Sequence, residues 1–334
     1  MHITTENWRD RAAVTLSNGV AEATLLPGGG HLARWGLAAD QGTSQENLLW
    51  EVPWKTADPG TEEHAAIAKV FVAKGRPSDN PLIVHVAGLS DLRSCGVLDD
   101  RAERLAHTFM PGPLTLVVAS TPLVPLIARA GLDTVALRIP AHPVAAALIT
   151  KSGPLVAPSA NLSGHPSPTR AEHVYDDLAG RIAAVIDGGP CRVGIESTVV
   201  DLSGERAVIL RPGIISVGEI EDVLGEPLLI ASRTADLPKA PGMKYRHYAP
   251  FAHVHLAIAP EPPADLHPDA GRIILTPMRH IGKFAGHEVH PLQESTLYAL
   301  FREADVRMIQ EIFIYAMPDE LDAGLLDRIR KAAE

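Results

Sequence analysis

Short apolar runs that stop at polar and turn-forming residues characterise the stretch from Gly153 to Gly213. Residues 155–157 end in PSAN, residues 183–186 end in DGG, and EST precedes the β-branched pair at 199–200. Each run predicts a strand that delivers polar side chains to an open sheet edge, where α/β sheets bind ligands. The side chains predicted to converge there are Ser159, Asn161, Ser197 and Thr198, with Arg211 following one further apolar strand.

This predicted cluster offers hydroxyls, an amide and a guanidinium. It holds no pair of carboxylates and no Cys/His nucleophile set. Such groups suit the binding of a phosphate or a carboxylate better than covalent attack on a substrate.

The composition limits the class of protein. A chain of 334 residues with 46% hydrophobic and 21% charged residues is typical of a globular protein with room for two domains. No apolar run approaches the roughly 20 residues that span a bilayer, and the charged N-terminus is unlike a secretory signal, so we expect a cytoplasmic protein without membrane contact. A net charge of −10 argues against broad nucleic-acid binding, and two distant cysteines argue against a structural zinc site.

Periodicity and turn signals divide the chain into four parts. Residues 1–58 are atypical, with a β-hairpin pattern or poor order; residues 59–231 predict an α/β domain; residues 232–250 predict a linker; and residues 251–334 predict a small α/β domain. The predicted helices cover 62–74, 89–108, 123–130, 143–150, 171–178, 295–304 and 321–333, and the predicted strands cover 82–86, 116–119, 134–140, 253–258, 272–276 and 312–315.

Three basic features leave two interpretations open. Lys74 and Arg76 at a helix end fit a solvated terminus or an anion clamp. Arg138 lies inside an apolar strand, where a charge must reach a ligand or form an internal ion pair. The segment KYRHY at 244–248 fits an exposed tether, or a surface that stacks on a base and touches phosphate.

Eight phrases together resemble the L-threonylcarbamoyladenylate synthases, in the long form with a C-terminal domain. They are KGRPSDNPLIVHV, PGPLTLVV, VALRIPAHP, APSANLSG, IDGG, ESTVVDL, LRPG and PGMKYRHYAP, in the order of the family. The resemblance covers residues 59–334 and implies a twisted mixed sheet with flanking helices, followed by a small α/β domain. In the family the linker, here 232–250, folds over the site.

The resemblance implies a nucleotidyltransferase that condenses L-threonine, bicarbonate and ATP into threonylcarbamoyl-AMP and pyrophosphate. Magnesium is expected with the triphosphate, without protein metal ligands. Partner transferases then pass the threonylcarbamoyl group to tRNA, and the resemblance allows a direct tRNA contact.

The resemblance also implies roles for individual residues. The tetrad of the family corresponds to Lys74, Arg76, Ser159 and Asn161. The implied ATP contacts are Arg76, Asn80, Thr134, Asn161, Thr169, Arg211 and Tyr248, with Tyr245 or His247 as other linker side chains that close on the nucleotide. The implied threonine contacts are His85, Arg138, Ser159 and Ser197, with Arg138 facing the carboxylate.

The sequence departs from the family at the front. ENLLWEVPWKTAD stands where the family has a Pro-Thr-Glu-Thr…Tyr-Gly-Leu-Gly motif; Trp54 and Asp58 fall near the expected Tyr and Asp, and the threonine-binding Thr has no counterpart. The alternative hypothesis is therefore a catalytically impaired nucleotide- or RNA-binding protein of the same fold. Carbamoyl transfer in metal-enzyme maturation uses a related domain, but with acyl-phosphatase and zinc-finger segments that this sequence lacks.

Overall fold

The computed structural model describes residues 2–8, 11–17, 21–26, 31–37, 59–182, 184–231, 248–263 and 266–333, with side chains from Ile67 onward. The predictions for Trp54, Asp58, Tyr245 and His247 lie outside the described residues.

The first four strands form an antiparallel sheet in sequence order. They are β1 (His2–Trp8), β2 (Arg11–Ser17), β3 (Ala21–Leu26) and β4 (His31–Leu37). Each strand pairs with the next, from His2 opposite Ser17 to Leu26 opposite His31. The sequence predicts hairpins in this region, and the backbone forms three consecutive hairpins.

The second sheet is mixed and has eight strands in the order β12-β11-β10-β7-β8-β5-β9, with β6 on β7. Its strands are β5 (Ile83–His85), β6 (Gly96–Val97), β7 (Leu114–Ser120), β8 (Thr134–Arg138), β9 (Leu155–Val156), β10 (Thr198–Asp201), β11 (Val208–Arg211) and β12 (Leu229–Ile230). The helices of this part are α1 (Pro59–Lys74), α2 (Leu89–Cys95), α3 (Asp100–Phe109), α4 (Pro143–Ser152), α5 (Ala171–Leu178) and α6 (Val217–Leu224).

The pairing of β5 with β8 sets up one side of the site. The two strands are parallel, and their register places His85 beside Arg138 at the carboxyl ends of both. Leu82, Leu116, Leu137 and other fully buried side chains form the core beneath them. The polar ends of these strands are thereby fixed by apolar packing below.

The C-terminal part is a four-stranded parallel sheet with helices. Its elements are β13 (His253–Ile258), β14 (Arg272–Thr276), a 3₁₀ helix (Met278–Lys283), β15 (Val289–Pro291), α7 (Glu294–Val306), β16 (Glu311–Ala316) and α8 (Ala323–Ala332). The strand order is β13-β16-β14-β15. Its core includes Phe301 and Ile329, and it also takes in Ile195 and Tyr248 from outside the sheet, so the two parts pack on each other.

Three predicted elements are wrong. Residues 123–130 form successive turns, with Ala128 N bonded to Pro125 O, because Pro125 disfavours a helical conformation at Val124. The helix predicted over 89–108 is two helices separated by β6, and Asp99 caps the second.

The strand predicted at 183–186 is also absent. Among the described residues, 184–186 pair with no strand, and Val185 and Ile186 are more than a third exposed. An apolar run forms a strand only where a neighbouring strand accepts its backbone hydrogen bonds. The apolar composition of the run carries no information about such a neighbour.

Candidate active site

Lys74 joins the end of α1 to the loop that follows β9. Its buried ammonium donates to the Ser159 carbonyl at 2.5 Å, to the Asn161 carbonyl, and to Asn161 Oδ1 at 3.4 Å. The Lys74 carbonyl in turn accepts from Ser163 N at 2.8 Å. Burial and then Arg76 lower the pKa of Lys74 to about 7, against the opposing charge of Asp177.

Arg76 is clamped by the turn that leads into β5. Its Nε donates to the Asn80 carbonyl at 3.0 Å, and its Nη2 donates to Asn80 Oδ1 at 2.6 Å and to the Pro81 carbonyl at 2.8 Å. Burial lowers the pKa of Arg76 to about 10; Tyr248 opposes this shift and Arg211 adds to it. Arg76 therefore remains a fixed cation at neutral pH.

His85 and Arg138 lie side by side at the ends of β5 and β8. Arg138 Nε donates to the Gly112 carbonyl at 2.9 Å, and no carboxylate among the described side chains forms an ion pair with Arg138. Burial and then Arg211 lower the pKa of Arg138 to about 10. Burial and then Arg138 lower the pKa of His85 to about 4, so the imidazole is neutral near pH 7.

Ser197 and Arg211 meet where β10 begins and β11 ends. Buried Arg211 donates to the Ser197 carbonyl from Nε at 3.1 Å and from Nη2 at 3.0 Å, and to Ser197 Oγ at 3.1 Å. Ser197 Oγ is also 2.7 Å from Thr115 Oγ1. A Cβ on Gly213 would lie 2.4 Å from Thr198 N, so the turn after Arg211 packs directly on this segment.

The loop between β9 and α5 carries three further predicted residues. Asn161 Nδ2 donates to the carbonyls of Leu162 at 2.8 Å and His165 at 3.0 Å, which orients its Oδ1 toward Lys74. Ser159 is exposed and turns its carbonyl to Lys74. Buried Thr169 donates its N–H to His173 Nδ1 at 3.2 Å.

Thr134 stands apart from the other predicted residues. It begins β8 and pairs with Ala119, four residues and thus about 13 Å along the strand from Arg138. Its assignment to ATP stays a prediction, and any contact there involves a distant part of an elongated ligand.

The site is a cluster of mutually repelling cations. Arg76 lowers the pKa of Lys74, and Arg211 lowers the pKa values of both Arg76 and Arg138. A bound anion with several charges would relieve this repulsion. The arrangement therefore fits a polyphosphate together with a carboxylate.

Tyr248 interacts electrostatically with two cations of this cluster, Arg76 and Arg211. It is 6% exposed and has φ +70°, a left-handed conformation that is uncommon for an aromatic residue. Its ring centroid is 5.5 Å from that of Tyr298 and 5.6 Å from the Arg328 guanidinium carbon. Burial and then Glu196 raise the pKa of Tyr248, so its hydroxyl keeps its proton.

Two ion pairs behind the site were not found by sequence reasoning. Asp177 accepts from both terminal nitrogens of Arg302, at 3.0 and 2.9 Å, and from Leu162 N at 3.0 Å. Glu196 pairs with Arg328 at 2.7 Å. Burial opposes the ionised form of Glu196, but Arg328 and then Arg211 lower its pKa to about 2.

Arg302 and Arg328 belong to the C-terminal domain, while their carboxylate partners belong to the first. ESTVVDL and LDRIRKAAE contain Glu196 and Arg328, but nothing in either phrase indicates that these two charges meet. Sequence spacing alone could not have found these ion pairs.

Metal-binding clusters and membrane-spanning helices are both absent from the described residues. Within the described ranges, no group of three or more His, Cys, Asp or Glu side chains is arranged to hold a metal ion. In the same part of the chain, no helix is long and apolar enough to cross a membrane.

Comparison with known proteins agrees with this geometry. The sequence model of the Sua5/YciO/YrdC family, described as Telomere recombination, matches residues 59–213, and that of the threonylcarbamoyl-AMP synthase C-terminal domain matches residues 215–334. The threonylcarbamoyl-AMP synthase of Pyrococcus abyssi is 45% identical over 237 residues, which are 69% of this chain and 70% of that protein. The chain belongs to the threonylcarbamoyl-AMP synthase family.

Other relatives of the family extend the match. The threonylcarbamoyl-AMP synthase of Bacillus subtilis is 42% identical over 292 residues, covering 80% of this chain and 83% of that protein. The crystal structure of P. abyssi Sua5 complexed with L-threonine has a TM-score of 0.69 at 38% identity, covering 80% of this chain and 84% of that one.

The comparisons confirm the family that the sequence was found to resemble, the predicted fold class and the predicted function of the family. Threonylcarbamoyl-AMP synthases are ATP-using nucleotidyltransferases of tRNA modification, and the predicted enzyme class is that of this family. The roles of single residues stay predictions.

Proposed function

We propose that the chain makes threonylcarbamoyl-AMP from L-threonine, bicarbonate and ATP. The threonine amine and bicarbonate give a carbamate with loss of water. A carbamate oxygen then attacks the α-phosphorus of ATP, the bond between that phosphorus and the α–β bridging oxygen breaks, and pyrophosphate leaves. No covalent enzyme intermediate is needed, in keeping with the lack of a nucleophile set among the site residues.

The cation cluster is the observation that carries this proposal. Arg76 repels both Lys74 and Arg211, so a triphosphate that contacts the three cations would be stabilised by all of them. Their hydrogen bonds to fixed carbonyls support a role in positioning, since the cations are already oriented when ATP arrives. We assign Asn80, Asn161, Thr169 and Tyr248 to the same nucleotide half of the site, with Ser159 as the fourth member of the tetrad.

Threonine is proposed to bind at the ends of β5 and β8. Arg138 would hold the carboxylate, and neutral His85, with Ser159 and Ser197, would supply hydrogen-bonding groups without a further charge. The complex of P. abyssi Sua5 with L-threonine supports a threonine site in this fold.

The remaining assignments concern partners and organisation. We propose that Mg²⁺ enters with ATP as part of the substrate, that the product passes to a cytoplasmic tRNA threonylcarbamoyl transferase, and that a direct tRNA contact accompanies this transfer. We also propose residues 59–231 as the catalytic domain, 232–250 as a linker over the site, and 251–334 as a separate C-terminal domain, with residues 1–58 as a further segment.

Pyrophosphate release from ATP and bicarbonate, with and without L-threonine, tests the proposed reaction. We expect release that depends on threonine, and its loss in Arg76→Ala and Lys74→Ala. Arg272→Ala is the matched control, because it removes an arginine that pairs with Glu311 inside the C-terminal domain at 2.6 Å. A folded chain that binds ATP and never turns it over would favour the alternative, a nucleotide-binding protein of this fold.

A further inference from the structure

Arg328 on α8 is fully buried and touches three segments of the chain outside its own domain. Its Nε donates to Glu196 Oε2 at 2.7 Å, and its Nη2 donates to the Glu196 carbonyl at 3.2 Å. Its Nη1 donates to the Pro212 carbonyl at 2.8 Å, as well as to the neighbouring Asp327. Its guanidinium lies 5.6 Å from the ring centre of Tyr248, a cation–π distance.

Each of these segments carries a residue of the proposed site. Glu196 directly precedes Ser197, Pro212 directly follows Arg211, and Tyr248 is itself assigned to the nucleotide. The two backbone carbonyls that Arg328 holds are therefore one residue away from the mutually bonded pair Ser197 and Arg211. A change in the position of Arg328 would move all three segments together.

Glu196 is fixed from its other side as well. Its Oε1 accepts from Ser167 Oγ at 2.5 Å, and its Oε2 accepts from the Tyr298 hydroxyl at 3.1 Å. Ser167 belongs to the loop that carries Asn161 and Thr169. Arg328 is thus connected to both halves of the proposed site through Glu196, Ser167 and Tyr248.

We propose that Arg328 is a positioning residue for threonylcarbamoyl-AMP synthesis, by which the C-terminal domain sets the geometry of Ser197, Arg211 and Tyr248. The inference rests on the proposed assignment of these three residues. Arg328 itself is fully enclosed by protein and acts through its neighbours. The planar guanidinium is required because its nitrogens point along fixed directions toward acceptors on two segments while its face meets a ring, which an ammonium does not reproduce.

A purely structural ion pair would behave differently. A buried pair adds little net stability compared with apolar packing, so its replacement by a conservative charge should affect the fold mildly. A misplacement of catalytic groups by about 1 Å, in contrast, costs on the order of 100-fold in rate. The ratio of the activity loss to the stability loss therefore distinguishes the two roles.

Arg328→Lys in the full chain is the decisive variant, since it leaves Glu196 opposite a cation. We expect kcat to fall on the order of 100-fold and the Kd of MgATP to rise about tenfold, while thermal unfolding remains cooperative at a slightly lower Tm. The matched control is Arg272→Lys, which alters the pair with Glu311 inside the C-terminal domain and should leave kcat and the Kd of MgATP unchanged. Native kcat and Kd in folded Arg328→Lys would overturn the proposal.

A second variant tests the proposal even if Arg328→Lys fails to fold. Arg328→Met with Glu196→Gln removes both charges, so neither is left buried without a partner. We expect a folded protein with the same loss of kcat, and native kcat in that protein would contradict the proposal.

A failure of the proposed function can be distinguished from a failure of the role proposed for Arg328. It shows as a lack of threonine-dependent pyrophosphate release in the unaltered chain. The Kd of MgATP, measured by calorimetry for the unaltered chain and for Arg328→Lys, then still tests the role of Arg328. An equal Kd in the two proteins would overturn it.

Discussion

Lys74 has a charge state that we expect to change when ATP binds. Burial and then the neighbouring Arg76 lower its pKa to about 7, so at pH 8 most unliganded molecules carry a neutral amine. A bound triphosphate favours the ammonium and raises this pKa, so ATP binding takes up a proton. Between pH 8 and 9 we expect MgATP affinity to fall by up to about tenfold per pH unit.

Calorimetry at pH 8 in two buffers of different ionisation enthalpy measures this uptake. We expect a value close to one proton per ATP. Lys74→Arg is the control, because its guanidinium stays charged and should bind ATP without uptake. Zero uptake by the unaltered chain would show that Lys74 does not face the triphosphate.

Arg138 gives a test of the threonine half of the site. Its Nε is held by the Gly112 carbonyl at 2.9 Å, so the guanidinium is oriented before a ligand binds. Arg138→Lys should weaken L-threonine binding roughly 10- to 100-fold, the value of a charge-assisted bidentate contact, with MgATP affinity unchanged. Titration with each substrate in turn measures the two affinities, and an equal loss of both would contradict the assignment.

At the level of elements, two glycines allow α8 to contact the first domain. A Cβ on Gly324 would lie 2.7 Å from the Gly213 carbonyl oxygen and 2.9 Å from its Cα, so two backbones meet without side chains between them. Gly213 ends the turn that follows Arg211. The position of α8, and with it Arg328, therefore depends on this contact.

Gly324→Ala should destabilise the fold by roughly 1–3 kcal/mol, since the backbone atoms it meets cannot turn away. The control is Gly218→Ala, which occupies the same second position of α6 and has no atom within 4 Å. That change should stabilise the fold by up to about 1 kcal/mol through helix propensity. Urea denaturation of both variants measures the free energies of unfolding, and a shift of the same sign in both would contradict the packing argument.

Elements with a clear period and clear ends were predictable from the sequence. The helix over 171–178 and the strands over 253–258 and 272–276 have the predicted bounds. The helix α6 was missed although Ser216 and Glu219 form a capping box at its start, a signal that sequence reading offers. The helix predicted over 123–130 is absent because Pro125 disfavours a helical conformation at Val124, an effect that helical spacing does not show.

The candidate site was predictable where chemistry follows a strand or helix end. Lys74 and Arg211 end a helix and a strand, Ser197 directly precedes a strand, and Asn161 lies in the loop after β9. The structure joins them in two hydrogen-bonded pairs. The burial of Arg328 was not predictable, because an arginine in an amphipathic helix is expected to face solvent. Its burial depends on Glu196, which is 132 positions away in the chain.

At the scale of the molecule, residues from outside the C-terminal domain pack into its hydrophobic core. Ile195, next to Glu196, and Tyr248 pack in the C-terminal core together with Tyr298 and Ile329. Tyr248, which belongs to the proposed site, and Ile195, which lies two residues before Ser197, thus belong to the hydrophobic core of the C-terminal domain. We therefore expect substrate binding at the proposed contacts Tyr248 and Ser197 to be coupled to the packing of α7 and α8.

Hydrogen exchange tests this coupling in the unaltered chain. MgATP and L-threonine bound as proposed would restrain Tyr248 and the segments beside Ser197 and Arg211. Arg328 would transmit this restraint to α8 through its three contacts. We expect slower amide exchange over Ala323–Ala332, and no change in the 3₁₀ helix Met278–Lys283, whose ion pairs stay within the C-terminal domain. Mass spectrometry resolves both segments. Because Arg328→Lys breaks the transmitting contacts, it should abolish the protection of α8, whereas unchanged exchange in α8 of the unaltered chain would show that the two domains are energetically independent.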